Sequence, residues 1–336
     1  MKVLLPEEYR ALREGAAVLD TPAARARIAA FGADRLPYLH AMLTNDVAAL
    51  VPGTGCYAAY LTPQGRMIAD MLVLELGDLT LLDVGAPQRA TVLEKLEQFI
   101  FSEDVRLSDL TPELLGLRLA GPRAADVLVT AGQGFGLADL QALPEYHSLR
   151  GSFQGTSVVA AADRELGITG FNLYLSRDAA GAFDDALCAA GATTVTPAAA
   201  EVLRIEAGRP RFGVDMDDTT IPLEAGIENR AISFTKGCFP GQEVITRVLH
   251  RGHGRIAKKL AGLRCEAVVE SGDRVMADDK EIGRVTSAAV SPALQRPIAL
   301  AYLQRDFTAP GADVSIVHAG SRVPAAVVEL PFVPVD

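Results

Sequence analysis

Lys236-Gly237-Cys238-Phe239-Pro240-Gly241-Gln242-Glu243 sets a thiol among hinge residues, between a Pro-, Asp- and Thr-rich approach and a basic run that reads as helical. Gly237 and Gly241 permit tight turns or close backbone approach, and Pro240 fixes one φ at the mouth of a helix expected over Gln242 to Leu249. Cys238 then precedes a helix N-terminus and lies two residues from Lys236. Both the dipole and the cation favour a thiolate over the ~8.5 of a free thiol, which makes Cys238 a candidate reactive residue. The competing reading is a buried cysteine acting as a small hydrophobe.

The chain around this stretch has 336 residues, enough for about two domains on a prior of ~150 residues each. At 49% hydrophobic and 22% charged it is globular in composition, and it holds no apolar run near the ~18 residues that a membrane helix needs. The segment Met1 to Glu8 is too short in its apolar part for a secretory signal, so a cytoplasmic location is expected. Cys56, Cys188, Cys238 and Cys265 form no C-x-x-C pair, which argues against a zinc ribbon, a cluster-ligating motif or a disulfide framework. A net charge of −10 disfavours broad nucleic-acid binding, yet Val244 to Cys265 carries no acid and holds Arg247, Arg251, Arg255, Lys258, Lys259 and Arg264. That run is either a solvated face or the landing place of an anionic ligand. His250 and His253 with Cys238 have no established ligand spacing, so no metal site is assigned.

Periodicity divides the chain into strands and helices. A helix is expected over Leu4 to Leu12, a strand at Gly15 to Asp20, then strand Arg27 to Phe31, Gly32, and a helix from Asp34 to Met42. Gly116 to Ala120, Gly121 and Arg123 to Val129 repeat that strand-Gly-helix layout, which points to two pseudo-equivalent α+β halves. Between them, Tyr57 to Leu61, Met67 to Glu75 and Leu79 to Val84 read as strands, and Gln88 to Phe101 as a helix with Val92, Leu96, Phe99 and Ile100 on its apolar side. Thr196-Pro197 reads as a cap and first helical position of a helix ended by Gly208. The segment Arg209 to Asp218 reads as irregular. Beyond about residue 253 short strands at Leu260–Leu263, Glu281–Val290, Ile298–Leu303, Val314–Val317 and Arg322–Leu330 read as a small β-barrel or sandwich.

The eight-residue stretch, with Val244-Ile245-Thr246-Arg247 and Arg251-Gly252 after it, resembles the K-G-C-[YF]-x-G-Q-E signature of the YgfZ family. These are folate-binding relatives of the glycine-cleavage T-protein associated with iron-sulfur cluster assembly or repair. Leu43-Thr44-Asn45-Asp46-Val47, Gln64-Gly65-Arg66, Leu203 to Gly208, and Gly213 through Pro222-Leu223-Glu224 resemble further superfamily stretches in the same order. The resemblance implies an α+β fold, with two halves of the aminomethyltransferase folate-binding type (roughly 1–110 and 111–252) and a C-terminal β-barrel over 253–336.

It also implies tetrahydrofolate or a one-carbon derivative as cofactor and iron-sulfur proteins as clients, with tRNA-modifying enzymes supported through them. Neither membrane nor direct nucleic-acid contact is expected. Cys238 would carry the chemistry and Lys236 would help to ionise it. Arg247 and Arg251 would hold an anionic group, with Gln242 and Glu243 of the signature beside them. Arg204 would anchor folate, or else pair with Glu201 or Glu206 on the helix surface. Asp70 would contact the pterin or sit exposed at a strand end. Asn45 would form a helix-ending turn, with ligand contact secondary.

Two departures bear on activity. The T-protein reaction depends on an acid at the first place of an Asp-Asp pair, which here reads Ala69-Asp70, and the glutamate of its T-G-E is replaced in Thr169-Gly170-Phe171. The expected function is therefore a tetrahydrofolate-binding accessory protein for iron-sulfur assembly or repair, whether or not it turns anything over. A folate-dependent one-carbon transferase using Asp70 is one alternative. An RNA-binding module is another, although its basic run lacks the interleaved aromatics that stack bases.

Overall fold

The structure, a computed structural model, describes residues 6–20, 24–251 and 256–335, with the side chains of 6, 20, 250 and 251 excepted. Arg251 as a ligand-holding side chain, and His253 and Arg255, therefore lie outside the described residues. Helix α1 (Pro6–Glu14) leads into β1 (Ala17–Asp20), β2 (Arg25–Phe31), α2 (Arg35–Met42), β3 (Gly55–Leu61), β4 (Met67–Glu75), β5 (Thr80–Gly85), α3 (Arg89–Glu97) and β6 (Arg106–Asp109). The second part runs β7 (Leu114–Ala120), α4 (Ala124–Ala131), α5 (Leu137–Gln141), β8 (Ser148–Phe153), β9 (Thr156–Asp163), β10 (Gly170–Ser176), α6 (Arg177–Ala189), β11 (Thr193–Thr194) and α7 (Pro197–Glu206). Short helices α8 (Pro222–Ala225), α9 (Glu228–Ala231) and α10 (Gln242–Thr246) follow. The chain closes with β12 (Lys258–Cys265), β13 (Arg274–Ala277), β14 (Lys280–Ser291), β15 (Arg296–Gln304), β16 (Asp313–His318) and β17 (Ser321–Val328).

These strands form a sheet ordered β3-β4-β5-β2-β6, a second ordered β11-β1-β7-β10-β9-β8, and a closed barrel ordered β12-β15-β14-β13-β16-β17. The α+β class with a terminal barrel is thus the observed architecture. The repeat is visible in the backbone: Gly32 and Gly121 both take positive φ, of 104° and 119°, and hand their strands to α2 and α4. A side chain at Gly32 would strike the Asp104 carbonyl oxygen, so the turn demands glycine. The halves are not contiguous, however, because β1 pairs with β7 and β11 in the second sheet. A four-residue strand this near the start of the chain carries no sequence mark of its partner.

Strand alternation sets what each face does. In β4 and β5, Ala69, Met71, Val73, Leu82 and Val84 pack with Leu39, Val92 and Leu96 beneath α2 and α3. In β7 and β10, Leu115, Leu117, Leu119, Phe171, Leu173 and Leu175 pack with Val127, Leu128 and Phe183 beneath α4 and α6. The opposite faces of the two sheets meet, and Leu72, Leu74, Leu81, Val159, Ala161 and Tyr174 form the apolar part of that meeting.

One expected helix is shorter in the structure, and another changes its winding. Helix α3 ends at Glu97, so Val92 and Leu96 are core while Phe99 is half exposed. Helix α10 stops at Thr246 and continues as a π-helical turn over Arg247–Arg251. Thr196 does not cap α7: its hydroxyl donates to Glu8 Oε2 at 2.7 Å, which ties α1 to that helix instead.

Candidate functional site

A central strand buried on both faces has no use for a charge unless a partner awaits it. Several strands carry one or two polar residues on the inner face: Arg25 and Arg27 in β2, Asp70 in β4, Asp83 in β5, Arg118 in β7, Asp163 in β9 and Asn172 in β10. The fold gathers them between the sheets. Arg25 Nε donates to Asp83 Oδ1 at 2.7 Å, and Tyr174 donates to the other oxygen at 2.7 Å. Arg118 pairs with Asp163 at 2.7 Å and donates to Asn172 Oδ1 at 3.2 Å. Arg230, from α9, pairs with Glu165 at 2.6 Å and donates to the Tyr146 hydroxyl at 3.2 Å, its guanidinium lying 4.9 Å from the centre of the Tyr57 ring. The Tyr57 and Tyr146 rings stack with centroids 6.3 Å apart. Tyr146 takes a positive φ of 69°, a conformation that costs free energy in a residue with a Cβ and that clusters at functional sites.

Asp70 is the pivot of this cluster. Its Oδ2 accepts the Tyr57 hydroxyl at 2.7 Å. Burial raises its pKa, and nearby Glu165 adds to the rise, while Arg25, the Tyr57 hydrogen bond and Arg230 hold it back. Glu165 moves the other way: despite burial, Arg230 and then Arg209 bring it below the usual carboxylate value. Two carboxyls with opposed shifts within one cluster can divide the labour of holding and accepting a proton. These groups sit between sheets, yet the Arg230 and Glu165 side chains retain 18% and 26% exposure. The polar space they border between the sheets, the hollow, thus keeps two partly exposed side chains at its edge.

Register shows where the residues at both departures point. Ala69 pairs with Tyr60 and is fully buried on the helix-side face, whereas Asp70 points between the sheets. An acid at 69 would enter an apolar core, whereas Asp70 faces the Tyr57 hydroxyl. Phe171 likewise packs beneath the helices, and the second acid of the hollow comes from Glu165, in the loop before β10. Sequence reading missed Glu165, Arg230 and Tyr146 because loop and short-helix residues carry no periodic signal, and it placed Tyr57 only as a strand residue. The lone charges within apolar strands were the available clue.

Arg204 does not serve the hollow. Its guanidinium donates to Glu201 at 2.9 and 2.6 Å, to Asp215 Oδ2 at 2.7 Å, to Ser287 Oγ at 2.8 Å and to the Arg209 carbonyl. All five donors are consumed within the protein, and the residue is 5% exposed. Two residues on, Glu206 accepts Tyr9, Arg13 and Ser291 at 2.9, 2.6 and 2.5 Å. The Arg-Ile-Glu stretch therefore fastens α7 to the barrel and to α1. Arg209, by contrast, is partly buried, and its ion pair among the described residues, with Glu145, is long at 3.9 Å.

The Cys238 loop is built differently from its expectation. Cys238 is exposed, which removes the core reading. Lys236 does not attend it: Nζ donates to the backbone carbonyls of Leu43 at 2.6 Å, Asn45 at 3.1 Å and His40. Burial lowers the Lys236 ammonium to about 8. Gly241, at φ 84°, lets the loop touch the β3–β4 hairpin, since a Cβ there would lie 2.6 Å from the Thr62 carbonyl oxygen and 2.8 Å from Gly65 Cα. The two signature stretches Gln64-Gly65-Arg66 and Pro240-Gly241-Gln242 thus meet backbone to backbone, anchored by buried Phe239 and Ile245. Gln242 is partly buried, Glu243 and Arg247 are exposed, and none of the three makes a side-chain bond among the described residues. Asn45 does more than end a helix: Nδ2 donates to the carbonyls of Tyr57 at 2.8 Å and Arg230 at 2.9 Å. Of the expected residues, Asp70 enters the hollow and Asn45 supports it. No described contact joins Cys238 to Asp70.

Known proteins of the same shape carry related sequences. The GCVT N-terminal domain model matches residues 1–236, and the glycine cleavage T-protein C-terminal barrel domain model matches residues 258–334. The aminomethyltransferase of Rubrobacter xylanophilus is 33% identical over 327 residues, spanning 97% of this chain and 85% of that protein. That of Geobacillus kaustophilus is 32% identical over 336 residues, spanning 98% and 90%. The crystal structure of glycine cleavage system aminomethyltransferase T from Bartonella henselae shares the fold, with TM-score 0.86 over 100% of this chain and 92% of that one at 24% identity. With both domains matched in order and relatives aligned along nearly its whole length, the chain belongs to the glycine-cleavage T-protein family.

Proposed function

We propose that the hollow between the sheets binds a reduced folate and that the protein performs folate-dependent one-carbon transfer of the aminomethyltransferase type. The observation that carries this reading is Asp70, an inward carboxyl whose pKa is raised by burial and which is held by Tyr57. The donor set suits the ligand. A pterin offers ring and amino N–H groups to Asp70 and Glu165 and a flat face to Tyr57 or Tyr146. Arg209, short of partners, takes an anionic end in the place first given to Arg204. Bound tetrahydrofolate would supply the nitrogens that accept the one-carbon unit. The chain's own part is to exclude bulk water with two stacked tyrosines, to orient the ring edge through two carboxyls, and to keep a proton on or near Asp70 Oδ2.

The test is to incubate the protein with tetrahydrofolate and an aminomethyl donor and to measure ammonia and methylenetetrahydrofolate. Product from the wild type, and none from D70N, is expected. Tight folate binding without transfer would reject the transferase reading.

A second reading rests on a separate observation. Cys238 is exposed at the end of a loop clamped on both sides, as a residue that meets a partner would be. On this reading the protein is a YgfZ-like, folate-binding accessory factor for iron-sulfur proteins. Loss of cluster-enzyme support in C238A cells, with folate binding intact, would favour it over the first.

A further inference from the structure

The Cys238 loop and the hollow share one hydrogen-bonded turn. Helix α2 ends at Met42, where carbonyls are left without helical partners. Lys236 fills that gap with bonds to the carbonyls of His40, Leu43 and Asn45. All three ammonium protons are thereby used, and the cation lies where the helix dipole is negative.

The far side of the same turn grips the walls of the hollow. Asn45 Nδ2 holds the Tyr57 and Arg230 carbonyls, and Thr44 Oγ1 donates to the Ala231 carbonyl at 2.6 Å while accepting the Ala59 amide at 2.8 Å. Tyr57 and Arg230 then project their side chains onto Asp70 and Glu165. On the loop side, a Cβ at Gly237 would meet nothing within 4 Å and Cys238 is exposed, whereas Phe239 is buried.

We propose that Lys236 is a positioning residue that couples occupancy of the hollow to the accessibility of the Cys238 thiol. A ligand that bears on the Tyr57 ring or displaces Arg230 moves the carbonyls held by Asn45. Asn45 in turn shifts the carbonyls held by Lys236, and the loop follows. Linkage is reciprocal, so modification of Cys238 changes ligand affinity by the same factor. This rests on the folate reading of the hollow for its ligand, though not for the clamp itself.

Two measurements on the full chain test it. Alkylation of Cys238 by iodoacetamide, followed by peptide mass spectrometry, is timed with and without saturating 5-formyltetrahydrofolate, with binding checked by calorimetry. A rate change of about fivefold or more is expected in the wild type. It should be absent in K236M and regained in part by K236R. Separately, amide hydrogen exchange without ligand should accelerate in K236M at Asn45 to Val47, Tyr57 and Arg230 to Ser233, and return towards wild type in K236R. Confirmed binding with an unchanged alkylation rate, or a ligand response that survives in K236M, overturns the coupling. Unchanged exchange in K236M overturns the clamp. Absence of binding overturns the folate reading and the ligand arm together, and the exchange data then decide the role of Lys236.

Discussion

Replacing Arg204 with methionine separates a structural arginine from a ligand-binding one. The change keeps an unbranched apolar stem as far as the Nε position while deleting five donated bonds and leaving Asp215, fully enclosed, without its counter-ion. Removing one partner of a buried ion pair costs about 3–5 kcal/mol. Asp215 keeps Thr286 at 2.6 Å, Ser287 at 2.7 Å and the Arg211 amide at 3.1 Å, which places the expected loss near the lower figure, about 3 kcal/mol. At roughly 2–4 °C per kcal/mol the melting midpoint should fall by about 6–12 °C, or somewhat less in a chain of this size. Scanning calorimetry gives the midpoint, and titration with 5-formyltetrahydrofolate well below it gives the affinity of the folded fraction. The expected outcome is a large drop in midpoint with affinity within about threefold of wild type. A midpoint within 2 °C of wild type, together with a tenfold or greater loss of affinity, would refute the reasoning and return Arg204 to the site; both thresholds follow from the sizes of buried ion-pair and charged hydrogen-bond effects.

Other substitutions give equally direct outcomes. D70N keeps an acceptor for Tyr57 and relieves a buried carboxyl, so activity should vanish without loss of stability at neutral pH. The sign follows from the raised folded pKa: the protonated carboxyl's contribution is complete below the unfolded value and is lost as pH rises through the folded one. The stability difference between D70N and wild type should therefore favour D70N at pH 7 and shrink in acid, as read by denaturant midpoints. E165Q removes the charge facing Arg230 and should weaken folate binding about tenfold while the fold survives, since Gln still accepts one bond; unchanged affinity would remove Glu165 from the site. G241A forces a Cβ against Thr62 and a positive φ on alanine, and should cost about 1–3 kcal/mol by chemical denaturation.

The sequence disclosed more of the fold than of the site, for physical reasons. Gly32 and Gly121, each between an apolar strand and a helix, mark the repeated unit because the turn tolerates nothing larger. The barrel strands show themselves by alternation, though β13, four residues long, did not. The site is harder to read because it is assembled from opposite sheets. Asp70 stands out as a charge in an apolar strand, but its orientation relative to Ala69 becomes legible only once register is known. Glu165 and Arg230 lie in a loop and a one-turn helix, 65 residues apart in the chain and joined only by folding. The sequence leaves Arg204 open between folate and a pair with Glu201; that pair forms, and the motif-like stretch gives no hint that Asp215 and Ser287 wait to consume its other donors. Lys236, two positions from Cys238, turned away because helix-end carbonyls outcompete a neighbouring thiol for an ammonium.

The central claim is that an anionic pterin ligand sits against Asp70 between the sheets. Calorimetric titration of 5-formyltetrahydrofolate into wild type, D70N and C238S tests it most directly. The account predicts binding by wild type and C238S with equal affinity, and binding by D70N weaker by about tenfold or more, as expected for loss of a charge-assisted hydrogen bond. Equal affinity in all three proteins, or loss of binding in C238S with D70N unaffected, would contradict it.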